Sequence, residues 1–237
     1  MPGADAGLRV VGPTGCSNAL GRESLRAWNA CSVRHTPSFL LTDEAEVKRL
    51  IRENPWATIV SHTSNGLVAS HYPVVLEPGD GISIVSHVGR PDEQLHELGR
   101  HEVLVIIQGP HGYISPNWYP PQQRIPTWNH VTAHLYGVPE LLSDDENLRV
   151  LADLVDHFEQ RMPNPVRLDT EPDAARIAKG TVGLRLRVTR FDARAKLSQN
   201  KAPGVVDDII GALESGGAYS HDGLAAEMRR VHGRDPR

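Results

Sequence analysis

Hydrophobic residues recur along the chain with two periods, and the changes between them mark out its elements. From Asp43 onward Val47, Leu50 and Ile51 share one helical face, Asp43 and Glu46 make a capping-box-like start, and Asn54-Pro55 stops the run. That pattern predicts an amphipathic helix. Two β-type runs follow, 57–63 and 67–76, separated by Ser64-Asn65-Gly66. Asn-Gly between such runs signals a hairpin. Pro78-Gly79-Asp80-Gly81 turns the chain into another run at 82–88, and 91–99 reads as a short helix closed by glycine. The segment 102–108, EVLVIIQ, is apolar at every second position and between them as well, which suits a strand covered on both faces at the centre of a sheet.

Further on, 127–136 (TWNHVTAHLY) is rich in β-branched and aromatic residues, and Ser143 with Glu146 forms an S-x-x-E box. A long helix should begin there, carrying Leu148, Leu151, Val155, Phe158 and Met162 as its apolar stripe until Pro163. A second helix over 172–179, a strand over 183–188, and helices over 205–213 and 224–231 complete the pattern. There is no internal repeat and no βαβ rhythm. The strands are short and of antiparallel size, which favours a mainly β fold, a small barrel with added helices, over a doubly wound sheet. Residues 1–32, with Gly, Pro, Ser and Asn at short intervals, read as a disordered leader, and Val33 resembles a natural translation start. The expected organisation is therefore a leader at 1–32, a folded domain at 33–213 and a helical tail at 214–237.

Composition narrows the function classes. The chain has 237 residues and a formal net charge of -4, a balance that disfavours the clustered positive charge a nucleic acid requires. Its one short basic cluster, Arg229-Arg230 to Arg234, reads as a solvated helix end, and no helix-turn-helix pattern accompanies it. Direct DNA binding is thus not expected. No run approaches the roughly 18 apolar residues of a membrane span, and the N-terminus lacks a basic flank before an apolar core. A cytoplasmic address is expected. Cys16 and Cys31 both fall in the leader, so neither disulfides nor a cysteine-rich zinc site organises the fold. Phosphate-binding glycine loops of the G-x-G-x-x-G and G-x-x-x-x-G-K-[ST] types are missing, as are H-E-x-x-H and G-x-S-x-G. A phosphate would have to be held by side chains.

Histidine is abundant, with 12 residues, and directs attention to several segments. His130 and His134 would share one metal on a helix; on a strand they lie roughly 13 Å apart, and a bland place on one sheet face is the commoner fate. His71, among apolar strand neighbours, is expected to be at least half buried, bonded either to a backbone carbonyl or to a cofactor. Residues 109–116 (GPHGYISP) suit a constrained loop that approaches a ligand or a second chain. Thr127, Trp128 and Asn129 follow Pro126 with a hydroxyl, an indole and an amide, although Trp128 would ordinarily be core. Lys196, Ser198 and Gln199, preceded by Arg194, offer a cation, a hydroxyl and an amide on an extended segment, suited to a phosphate or a polar ring edge. The alternative for that segment is a solvated loop.

The ordered set ASHYP (69–73), SHVGRP (86–91), QGPHGYISPNWY (108–119), PTWN (126–129) and KLSQN (196–200) resembles the PaiB-like family, described as FMN-binding negative transcriptional regulators. The likeness runs from about Arg34 to Leu213. It implies an FMN-binding split β-barrel related to pyridoxamine phosphate oxidases, a homodimer with two interface cofactor sites, and a flavin held by His71, Thr127, Trp128, Asn129, Lys196, Ser198 and Gln199. The length of the 117–125 loop is similar instead to piperazate synthases, haem-binding relatives that form an N–N bond. That resemblance implies haem b with His71 as its axial ligand.

Overall fold

The computed structural model describes residues 36–121 and 125–234; the leader, its two cysteines and the start at Val33 lie outside the described residues. The helices are α1 (Glu44–Glu53), α2 (Arg90–Leu95), α3 (Asp144–Glu159), α4 (Ala174–Ala178), α5 (Pro203–Glu214) and α6 (Asp222–Val231). The strands are β1 (Trp56–Thr63), β2 (Gly66–Pro73), β3 (Val75–Leu76), β4 (Ser83–Gly89), β5 (Val103–Ile114), β6 (Thr127–Gly137), β7 (Glu140–Leu141), β8 (Thr181–Arg187) and β9 (Arg190–Lys196). They form two antiparallel sheets, ordered β2-β1-β5-β6-β9 and β3-β4-β8-β7. The fold is mainly β with helices added, as expected, and the sheets do not close into one ring.

Local chemistry explains most boundaries. Asp43 caps α1 by accepting a hydrogen bond from the Ala45 amide, and the reciprocal Ser143–Glu146 box opens α3. The β1–β2 hairpin turns at Ser64-Asn65, and Gly66 takes up the turn with φ +108°. β5 lies at the centre of its sheet between β1 and β6, where its two-sided apolar run placed it.

Two expectations are corrected. Residues 109–114 are not a loop but the second half of β5, whose register with β6 shifts between Gln108 and His111. A bulge accounts for this, since it absorbs one residue, admits the Pro110 nitrogen that cannot donate to the ladder, and bends the strand. A Cβ at Gly109 would come within 2.6 Å of Leu50 Cδ1 and 3.3 Å of the Val131 carbonyl oxygen, so the buried Leu50 side chain would have to shift to admit one. The stripe on α3 is also displaced: the helix buries Asn147, Val150 and Leu154, while Leu148, Leu151 and Val155 are half-buried and Phe158 is exposed. The amide of Asn147 bonds the Ala178 carbonyl and the Thr181 hydroxyl, and that polar tie sets which side of α3 faces β8.

One apolar core spans the inner face of the larger sheet, α1, α5 and α6, with Leu50, Ile107, Leu135, Ile209 and Leu224 fully buried. The C-terminal helix belongs to it, for Leu224 lies directly over Gly112 of β5. The basic cluster on that helix is neutralised. Arg230 and Arg49 both bond Glu227, Arg229 pairs with Glu214, and Arg234 with Asp207.

Candidate functional site

Alternation along the strands puts one set of side chains of the five-stranded sheet on the core and the other on an open face. Successive strands contribute His71 from β2; Trp56 and Thr58 from β1; Ile106, Gln108, His111 and Tyr113 from β5; Trp128, His130 and His134 from β6; and Arg194 and Lys196 from β9. A cavity of about 490 Å³ opens on this face, with Thr58, Ile106 and Gln108 as its floor and Trp56, His71 and His111 on its walls. Trp56 and His71 stack with ring centroids 6.4 Å apart; across the cavity His111 stacks on Trp128 at 6.0 Å and accepts its indole N–H at 3.3 Å.

Lys196 adjoins that second stack. Its ammonium donates to the Trp128 carbonyl at 2.9 Å and to the Thr127 hydroxyl, and among the described residues it has no carboxylate partner. Burial holds its pKa below the ordinary lysine value. Burial likewise lowers the opposed His130, with Lys196 and Arg194 adding to the effect, so this corner disfavours further positive charge. A second cavity of the same volume, between α3 and α4, is lined by Asp145, Asp169 and Glu171 against a single Arg149 and would repel an anion.

The predicted site residues divide into three groups. Trp128 and Lys196 come together on the open face, and the Lys196 ammonium reaches the Thr127 hydroxyl at the start of β6, although Thr127 itself pairs with the buried Ile114. His71 shares that face but lies on β2, at the opposite edge from β9, four strand spacings or about 19 Å away across the sheet. It is exposed, contrary to the expected half-burial, because the core takes the alternate residues Ser70 and Tyr72. Asn129, Ser198 and Gln199 point away. The Asn129 amide donates to Ser198 Oγ at 2.9 Å in the core, and Gln199 accepts the Leu197 amide at 2.7 Å while donating to the Ala195 carbonyl. Trp56 was not among the expected site residues, whereas His111 and Tyr113 fall in the 109–116 segment expected to approach a ligand, though as a loop rather than as a strand. The H-x-Y spacing at 111–113 held the signal, but only a strand reading of that segment reveals it.

Behind His71, the core side of β1 and β2 carries a polar chain that runs from the half-buried Ser70, Tyr72 and Asp92 to the buried His96 and Ser61. Ser70 and Tyr72 hydroxyls donate to Asp92 at 2.9 and 2.7 Å, while His96 meets Ser70 through Nε2 at 3.0 Å and Ser61 through Nδ1 at 2.8 Å. Because the Ser70 proton goes to Asp92, His96 must donate from Nε2 and accept at Nδ1; the neutral tautomer satisfies every group. Desolvation lowers the His96 pKa, although Asp92 opposes the shift. A histidine with a depressed folded pKa contributes stability that is present above its unfolded pKa, about 6.5, and lost as pH falls below it. His87, His130 and His134 are shifted the same way. Thermal unfolding should therefore show the midpoint falling by about 2–4 °C or more between about pH 7.5 and pH 5.5, equivalent to about 1 kcal/mol. A flat profile over that interval would contradict the neutral, buried assignment.

Two antiparallel sheets, with an aromatic-walled cavity on the open face of the larger one and the Lys196 ammonium beside the His111–Trp128 stack, define a mainly β protein with a candidate binding face. Residues 34–190 match the family model described as "Putative FMN-binding domain". The chain is 33% identical over 182 residues to the protease synthase and sporulation protein PAI 2 of Bacillus subtilis, covering 75% of this chain and 87% of that one. It belongs to the PaiB-like family of FMN-binding-domain proteins. Among solved structures it is similar to the FAD and heme binding protein from Mycobacterium smegmatis (TM-score 0.54, 18% identity, 76% of this chain and 81% of that chain). It is also similar to the flavocytochrome Anf3 from Azotobacter vinelandii (TM-score 0.52, 15% identity, 69% of this chain and 72% of that chain). At these identities the likeness concerns the fold.

Proposed function

We propose that the open face of the five-stranded sheet binds FMN, with the phosphate on Lys196 and Thr127 and the isoalloxazine toward the His111–Trp128 stack and the adjoining cavity. The observation that carries this reading is Lys196, a half-buried cation with no carboxylate partner among the described residues, fixed beside an aromatic wall. Such a cation fits a phosphate dianion, and a fold without a glycine loop needs a side-chain anchor of this kind. When bound, FMN would supply two-electron redox chemistry; the chain binds it, orients it and limits water around the ring.

The same face, apolar at its centre and otherwise uncovered, would be shared with a second copy in a homodimeric split barrel, and the address would be cytoplasmic. Regulation, on this reading, does not act through direct DNA contact, because the arginines of α6 are neutralised. Gel filtration of the purified chain after incubation with FMN tests the proposal. Flavin should co-elute at the mass of a dimer, about one per chain; flavin separating wholly from protein would refute it.

One observation favours haem as a second reading. The His71 imidazole has no hydrogen-bond partner among the described residues and stands at the cavity wall beside Trp56, free to ligate iron. On that reading haem b occupies the cavity. Haemin would then give a Soret band that disappears in His71→Ala; a band that persists in the variant removes His71 as the axial ligand.

A further inference from the structure

Helix α3 carries an apolar stripe that the fold does not fully bury. Leu148, Leu151, Val155, Phe158 and Met162 recur at helical spacing, yet the side packed into the interior is that of Asn147, Val150 and Leu154, the last two against Val85 and Leu142. The Asn147 amide fixes that choice through its bonds to the Ala178 carbonyl and the Thr181 hydroxyl. Leu148, one residue on, lies about 100° further round the helix. The stripe is thereby held at the edge of the packed side, and its far end is in solvent, with Phe158 41% and Met162 55% exposed.

Beyond α3 the chain turns at Pro163 and comes back beside the helix. The Glu159 carboxylate accepts the Val166 amide at 2.9 Å and Asp156 pairs with Arg167 at 3.6 Å, so the returning segment is tied to α3 without closing on it. Between them lies the acidic cavity of about 490 Å³, with Leu148, Ala152, Leu168 and Ala175 as apolar lining and Asp145 and Glu171 as carboxylates that have no ion-pair partner among the described residues. From Asp144 to Asp173, the stretch that forms most of these walls, there are nine acidic residues and three basic ones, whereas the whole chain has a net charge of -4. Negative charge is thus concentrated around one apolar groove.

We infer that this groove docks a basic amphipathic helix of another protein, with the apolar residues of that helix on Leu148, Ala152 and Leu168 and its lysines or arginines against the acidic walls. From Leu148 to Met162 the stripe extends for about 21 Å at 1.5 Å per residue, room for three to four turns of a partner helix. Charge selects the occupant. A second copy presenting the same face would set carboxylates against carboxylates, and a nucleic acid or an anionic membrane surface would be repelled. The groove belongs to a helix packed on the four-stranded sheet, whereas the candidate flavin face belongs to the five-stranded one.

Fluorescence anisotropy of the full-length chain with a labelled Leu/Lys peptide of about 14 residues, its leucines at i, i+3, i+4 and i+7 spacing, tests the inference. This peptide should bind, and a Leu/Glu peptide of the same pattern should not. Asp145→Asn combined with Glu171→Gln should weaken binding about tenfold, as should Phe158→Ser. Asp80→Asn combined with Asp208→Asn, the same loss of charge outside α3 and α4, should leave it unchanged. All five side chains are exposed, so thermal unfolding of the variants should match that of the parent. Failure of the Leu/Lys peptide to bind, equal weakening by the two pairs of charge changes, or full binding in Phe158→Ser would each overturn the inference. A mass in gel filtration that halves in Phe158→Ser would place a second copy on the groove and overturn it as well.

Discussion

Gly137→Ala should destabilise the protein by about 2–3 kcal/mol, the upper part of the range for forcing extra volume into a packed interior. Gly137 ends β6 opposite Val103, in contact with the second sheet. A Cβ there would come within 2.6 Å of the Arg187 carbonyl oxygen and 2.9 Å of Leu186 Cδ1. Leu186 could rotate away, but the carbonyl belongs to the end of β8 and moves only with the backbone of that strand. For a chain of this size the midpoint of thermal unfolding should drop by roughly 4–12 °C. The comparison variant is Gly211→Ala, on the exposed side of α5, where an added Cβ meets nothing within 4 Å. Helix propensity alone should make that change stabilising by about 0.5–1 kcal/mol. Opposite signs at the two glycines would show that close approach of the sheets, rather than glycine content, limits stability; a neutral Gly137→Ala would mean that the two sheets can separate at this corner.

The elements that were legible in the sequence are those specified by neighbouring residues. Asp43 and Ser143 start helices because each satisfies amides within three residues, and Ser64-Asn65-Gly66 makes a hairpin through its own backbone preferences. What stayed hidden depends on tertiary partners. The 109–114 segment has a loop's composition, and it is a strand only because β6 pairs with it and Leu50 fills the space over Gly109. On α3 the hydrophobic stripe is a poor guide because the amide of Asn147 finds acceptors on the neighbouring Ala178–Thr181 segment and turns the helix toward them.

The candidate site divides for a related reason. Lys196 and Ser198 would face the same way if the strand continued, but β9 ends at Lys196 and Ser198 adopts φ 66°, which turns its hydroxyl into the core toward Asn129. Gln199 then bonds the backbone of its own turn. Lys196 is therefore the member of the KLSQN motif left on the open face, and Ser198 and Gln199 maintain the turn that presents it. A resemblance can identify such a motif as a unit; it takes the side-chain directions to separate the group that would touch a ligand from those that hold it in place.

That separation leads to the second large effect, Lys196→Ala, which should weaken FMN binding by about 10–150-fold, the loss of one charge-assisted contact worth about 1.5–3 kcal/mol. Stability should hardly change, because the ammonium bonds only one hydroxyl and one carbonyl and has no carboxylate to leave unpaired among the described residues. Arginine at the same position should recover part of the affinity, and raising the salt concentration should weaken the parent chain more than the alanine variant, since only the parent has a screened ion pair to lose. Asn129→Ala should behave in the opposite way. Its side chain is fully buried and bonded to Ser198 and Met228, so its loss costs about 1–3 kcal/mol of folding stability and leaves the flavin affinity of the folded fraction nearly intact. Flavin titration and thermal unfolding on the two variants together separate the anchor from its support. Parent-like FMN affinity in Lys196→Ala would remove the phosphate from this corner and return the search to the cavity walls at His71 and His111.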